Sequence, residues 1–257
     1  MTATLQPHSV SQLASQFGRS TFSQSLCISP YRSGIQLAMK VTQDPRIWIE
    51  QQLLSQPVTE RAIIFCLFRK HVEMMVSYLK SKITTRQIFE CSSGATDDLP
   101  AFHAASGVMV CTSVLSTGVS FDKVTRVYFL DCCHGPEAFL QGAGRGARFE
   151  GETCVSTLVT NKAQLQYFMH SDMPEIGKMA TFCYEVIEKR LDFSSHIYKL
   201  FQHSTRNNIS QTQDHSHTSI MDMTIPNAKR QRCIGQLSDD SQLAVDDKVR
   251  EHVDHVS

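Results

Sequence analysis

The chain has 257 residues, 41% of them hydrophobic, with Lys+Arg and Asp+Glu both at 25. That supports at least one buried core, and the zero net charge gives no global signal for nucleic acid. No apolar run approaches the ~20 residues needed to cross a bilayer, so no membrane partner is expected.

The charge is unevenly spread. Residues 61–90 hold six Lys/Arg against two Glu, and residues 233–257 hold six Asp/Glu against two Lys/Arg. The first stretch reads either as a basic face for a phosphate backbone or as a solvated helix face. Nine cysteines are scattered without a C-x-x-C. With an odd count and no secretory signal peptide they read as reduced thiols.

In chain order, residues 1–18 read as a strand remnant and a short helix, and residues 19–34 as a Ser-, Arg- and Gly-rich linker. IQLAMKV (35–41) reads as a strand. DPRIWIEQQLLSQ has helical spacing, with Asp44 as N-cap and Pro45 after it. RAIIFCLF (61–68) is a continuous apolar run, as in a buried parallel strand. Val72, Met75, Val76 and Leu79 then recur on one helix face. QIFECSS, GVMVCTS, RVYFLD and TCVSTLVT supply further strands, and PEAFLQGAG and NKAQLQYFMH begin helices. This alternation predicts an α/β domain with a mostly parallel sheet and helices on both faces, over residues 35–172. EIGKMATFCYEVIEKRL falls in a helical extension at 173–202. Residues 203–257 are polar, then acidic, and read as a disordered tail.

The sharpest constellation is Gln141-Gly-Ala-Gly-Arg-Gly-Ala-Arg148. Small residues allow close backbone approach to a ligand, and guanidinium groups match phosphate oxygens with paired donors. GAGRGA also fits the dinucleotide pattern G-x-G-x-x-G/A, but that motif must leave a strand and open a helix. Here Cys132 to Gln141 separate it from the preceding strand, and a strand follows. A Gly-rich loop and an Arg/Gly RNA-binding patch are the other readings.

The surrounding order narrows the choice. Thr112, Thr117-Gly118 and Asp131 precede Gln141, Gly144, Arg145 and Arg148. This resembles motifs V and VI of superfamily 2 helicases, and RAIIFCLFRKHVEMMVSYL resembles motif IV. The match runs over roughly 60–180. Gly151-Glu-Thr-Cys154 is RecQ-like, and MTATLQPHSV resembles the motif III segment of RecQ helicases, where Thr-Ala-Thr ends a strand of the first lobe.

The resemblance implies a RecA-like second motor lobe of an ATP-dependent 3′–5′ DNA helicase, acting in the nucleus in DNA repair and recombination. It implies ATP and Mg²⁺ as cofactors, once a complementary first lobe is present. Arg145 and Arg148 would be arginine fingers, seated by Gln141, with Gly118 and Gly144 at the nucleotide. Thr112, Ser113, Thr117, Arg69 and Lys70 would touch a single-stranded or fork-like DNA backbone. The alternative is a non-catalytic module, derived from a helicase, that binds single strands or a protein.

Several features depart from the family pattern. No G-x-x-x-x-G-K-[ST] and no D-E-x-H occurs, so hydrolysis by this chain alone is not expected. Ser120 stands where the family commonly has Asp or Asn, and Gly146-Ala147 inverts the usual Ala-Gly. Ala is tolerated there unless the position needs φ > 0. The stretch from Cys91 to Gly107 is short, which predicts a thinly covered sheet layer. RQRCIGQL (230–237) faintly resembles the start of a RecQ zinc region, but Cys233 has no partner cysteines nearby and no zinc is expected. His203, His215 and His217 read as solvated tail residues.

Overall fold

The computed structural model describes residues 32–92, 98–116 and 120–202. The chain divides into two compact units, Met1–Thr205 and Arg206–Ser257, and all described residues belong to the first. Six parallel strands form one sheet: β1 (Ile35–Val41), β2 (Arg61–Phe65), β3 (Gln87–Cys91), β4 (Gly107–Cys111), β5 (Val124–Leu130) and β6 (Cys154–Thr160), in the order β1-β6-β5-β2-β4-β3. β2 and β4 are buried at every position, which explains their unbroken apolar sequences.

Seven helices connect or follow the strands in the described residues: α1 (Pro45–Ser55), α2 (Arg69–Lys82), α3 (Asp98–Ala104), α4 (Pro136–Ala143), α5 (Lys162–Met169), α6 (Pro174–Glu188) and α7 (Phe193–Gln202). Asp44 caps α1 by accepting from the Arg46 and Ile47 amides at 2.9 and 3.3 Å. Asn161 caps α5 by accepting from the Gln164 amide at 2.7 Å. Among the described residues no helix is long and apolar enough to cross a membrane.

The sheet separates two cores. On one face, Ile49 and Leu53 of α1 and Val72, Met75, Val76 and Leu79 of α2 pack on Ile64, Val110 and Tyr128. On the other, α3 to α7 cover Phe65, Met109, Phe129 and Leu158. The helices at 174–202 belong to this second core through Ile176, Met179, Cys183, Phe193 and Ile197. Seven cysteines among the described residues are buried free thiols.

The expected thin layer after Cys91 is filled by α3. Its Phe102 is fully buried between Phe89 and Phe121, at ring distances of 5.5 and 4.8 Å. One aromatic residue per short helix suffices there, because a Phe buries as much area as two small aliphatic residues.

Two buried arginines tie off loops at the starting ends of the strands. Arg61 donates to the Phe102, His103, Ala105 and Asp122 carbonyls at 2.8–3.3 Å, and pairs with the Asp122 carboxylate. Arg86 donates to Leu53 O, Gln56 Oε1 and Glu60 O. Each satisfies carbonyls that would otherwise be buried without donors. Arg61→Met should therefore lower unfolding free energy by about 2–4 kcal/mol in urea titration, since several buried acceptors lose their donor together. A loss below half a kcal/mol would show that water replaces the guanidinium without cost.

Candidate functional site

β2 leads into α2 on one face, and β5 leads into α4 on the other. Adjacent strands whose helices leave in opposite directions open a crevice at their finishing ends, where ligands of open α/β sheets bind. Here His134 Nε2 lies 3.2 Å from Leu67 O, joining the two loops. Phe68 packs edge-on against His71 and His134. Burial pushes the pKa of both histidines down, which keeps the rings neutral at pH 7.

The residues expected to act fall into two groups. Arg69 and Lys70 open α2 just beyond β2, and Thr112 and Ser113 follow β4. Arg69 is half exposed and paired with Glu73 at 3.1 Å; Lys70 is exposed. No side chain caps the N-terminus of α2, so its first amides and two cations face the same end. Thr112 is buried, and its hydroxyl has no hydrogen-bond partner among the described residues. Ser113 begins a 3₁₀ turn, Ser113–Ser116, and is half-buried. Thr117 and Gly118 lie outside the described residues, as do Thr2-Ala3-Thr4, Cys233 and the tail histidines.

The second group sits at the end of α4. Gln141 and Gly144 are half-buried. Arg148 Nε donates to Gly144 O at 2.6 Å, which ties its side chain to the helix end. Arg145 is buried at 7% exposure. Burial, then repulsion from Arg148 and Arg32, pushes its pKa down to about 10. It remains charged at pH 7, and the Cys111 thiol at the end of β4 is within its electrostatic reach. Arg32 was not singled out by the sequence: it lies in a Ser/Arg-rich stretch with no spacing relation to the motif.

The loop between the arginines is tightly held. A Cβ on Gly146 would stand 2.2 Å from Cys154 Sγ and 2.6 Å from Cys154 Cβ, so only glycine fits opposite that cysteine. Ala147 adopts φ +47°, with its amide on Val124 O at 3.4 Å. The inverted Gly-Ala order therefore carries a cost: the position does need φ > 0, and alanine occupies it.

A cleft of ≈ 300 Å³ opens at the finishing ends of β1, β5 and β6. Its lining includes Asp44, Arg46, His71, Met75, Asp131 and Asn161. These come from four separate elements, and sequence spacing gave no sign of them as a group. Asp131 follows β5 with φ +66°. Burial pushes its pKa up to about 6, with nearby Arg46 lowering and Asp44 raising it. Among the described residues, no group of three or more His, Cys, Asp or Glu is arranged to hold a metal ion.

An open parallel sheet with helices on both faces and an arginine-bearing loop after its fifth strand defines a RecA-like lobe. Residues 46–150 match the helicase conserved C-terminal domain. Its fold is similar to S. cerevisiae Dbp5 bound to RNA and ADP BeF3, with TM-score 0.52 and 16% identity over 78% of this chain and 54% of that one. It is also similar to Mss116p bound to ssRNA and AMP-PNP, with TM-score 0.52 and 19% identity over 67% of this chain and 38% of that one. At these identities the likeness is one of fold. The chain spans about half the length of the first solved structure and less of the second. No curated protein sequence matches.

Two outcomes follow for stability. Ala147→Gly should raise the melting temperature, by about 0.5–1 kcal/mol of relief from the left-handed conformation, whereas Gly146→Ala should lower it; the reverse order in a thermal scan would refute the loop account. For Asp131 the folded pKa lies above the unfolded value. Its penalty is absent below the ordinary carboxylate value of 3.8, grows as pH rises, and is complete above about 6. Asp131→Asn should therefore stabilise the protein at pH 7, on the order of 2 kcal/mol, with the gain vanishing towards pH 4. A gain independent of pH would mean that ionisation is not its source.

Proposed function

We propose that this chain is the C-terminal motor lobe of a RecQ-like ATP-dependent 3′–5′ DNA helicase. In this reading Arg145 and Arg148 complete an ATP·Mg²⁺ site whose phosphate-holding loop belongs to a first lobe. The observation that carries it is the placement of Arg145 and Arg148 on one tightly held loop, with Gly146 against Cys154 and the Ala147 amide on Val124 O. Two guanidinium groups on a preorganised loop suit a polyphosphate through paired, charge-assisted donors.

The chemistry then divides. The first lobe and Mg²⁺ hold the nucleotide, and the two guanidinium groups neutralise charge that builds on the γ-phosphoryl oxygens. Gly142 and Gly146 hold the loop at fixed height, so little reorganisation accompanies that step. Arg69, Lys70 and the uncapped start of α2 contact a strand's phosphates, with Ser113 on the same strand-finishing edge and Thr117 supplying a further hydroxyl. Thr112 acts from a buried position and steadies the turn. Nuclear location and a role in DNA repair and recombination belong to the same reading.

The second reading keeps strand binding without hydrolysis. The solved structures of similar fold hold RNA, which favours testing RNA beside DNA.

The deciding experiment is an ATPase assay with single-stranded DNA or RNA, with and without an added first lobe. The helicase reading expects hydrolysis only with the complement and DNA, and a loss of about 10³-fold or more in Arg148→Ala. Salt-sensitive strand binding with no hydrolysis in any combination would leave the second reading. Wild-type rates in Arg148→Ala would refute the arginine-finger role.

A further inference from the structure

The cleft at the finishing ends of β1, β5 and β6 is used by none of the roles above. At ≈ 300 Å³ it falls at the lower end of small-ligand pockets, which run about 300–1,000 Å³. Met75 and Leu130 form an apolar wall. The rest of its chemistry is specific. Asp131 and Asn161 follow neighbouring paired strands, since Leu130 stands opposite Val159 in the β5–β6 register. The Asn161 side-chain oxygen is committed to the Gln164 amide at 2.7 Å, which leaves its NH₂ as a donor. Asp44 is committed to the α1 amides and to Arg46 at 3.3 Å. The half-buried Asp131 carboxylate has no hydrogen-bond donor among the described residues.

The ligand must therefore bring donors to Asp131 and an acceptor to Asn161. An anion would face both Asp44 and Asp131, and an ammonium or guanidinium group would offer Asn161 no acceptor. A purely apolar group would leave the carboxylate desolvated and unmatched. A neutral planar ring with one acceptor beside two donors satisfies all three conditions, and its face suits the Met75 thioether.

We infer that this cleft is a guanine-base site, in which Asn161 donates to O6 and Asp131 accepts from N1–H and the 2-amino group. The base belongs to a free nucleotide or to the strand bound along α2. The second source rests on the strand-binding reading proposed above; the first does not. Asn is well suited to φ +66°, so Asp131→Asn keeps the backbone while placing a donor where an acceptor is needed.

The test uses the full chain. Calorimetric titration compares GMP with IMP, which lacks only the 2-amino group, and gel shifts compare (dT)₁₂ with the same strand bearing one central dG or dI. The expected result is GMP or the dG strand binding about 5–100-fold better than its inosine counterpart, as one charge-assisted hydrogen bond allows. Asp131→Asn should abolish that preference and leave binding of (dT)₁₂ unchanged. A preference confined to the mononucleotides marks a free nucleotide as the ligand, and one confined to the strands marks a strand base. Equal binding of guanine and inosine partners, no binding of either, or a preference that survives in Asp131→Asn overturns the assignment. Failure of (dT)₁₂ itself to bind counts against the strand reading alone, because the GMP arm still decides the cleft.

Discussion

The seating of α4 on the sheet is the contact on which the arginine loop depends. Phe65 and Phe129 stack at 5.0 Å, Phe139 of α4 lies 4.6 Å from Phe129, and Phe193 of α7 covers Phe139 at 5.4 Å. Each buried ring contributes roughly 1.5–3 kcal/mol, and each well-placed pair adds about 0.5–1.5 kcal/mol. The helix can approach this ladder only because residue 142 is glycine: a Cβ there would stand 2.7 Å from the Phe129 ring. Four residues on, Gly146 presses against Cys154 under the same constraint. Arg145 lies between the two close approaches, so its buried position follows from packing that is not its own.

Charge and packing oppose each other across the lobe. At the start of β5 and β6 the loop holds Arg145 and Arg148 beside Arg32, and burial makes their mutual repulsion felt. At the finishing ends of β5 and β6 the strain has the other sign, with Asp131 ionising at the expense of stability. Both groups sit on backbone fixed by unusual dihedral angles, at Ala147 and at Asp131. Backbone in the left-handed region thus fixes the position of ionisable groups at both ends of these strands.

Most of the sheet was legible in the sequence. Unbroken apolar runs such as RAIIF and GVMVC mark central parallel strands, and Val72, Met75, Val76 and Leu79 mark the buried face of α2. One short helix and one break between helices escaped. α3 spans seven residues and buries Phe102 as its one buried residue, too little for a helical period to register. α7 follows α6 within the same helical stretch, separated by Arg190 at φ +52°, where no glycine or proline marks the break. Of the site, the order of Thr112, Asp131, Gln141, Arg145 and Arg148 was readable because the resemblance to motifs V and VI spans them. The cleft was not, because its lining is gathered from four elements by the parallel topology. Whether Ala147 needed a left-handed backbone was open in the sequence and is answered by its φ of +47°.

The central claim is that a packed helix presents Arg145 and Arg148 to a phosphate ligand held by another lobe. It is tested most directly by following their guanidinium Nε–H resonances while a first lobe and ADP–beryllofluoride are added together. The account predicts that both resonances shift and slow their exchange with water, and that Gly142→Ala blunts the change. Unmoved Arg145 and Arg148 signals, with the complex formed and Arg69 alone perturbed, would contradict it.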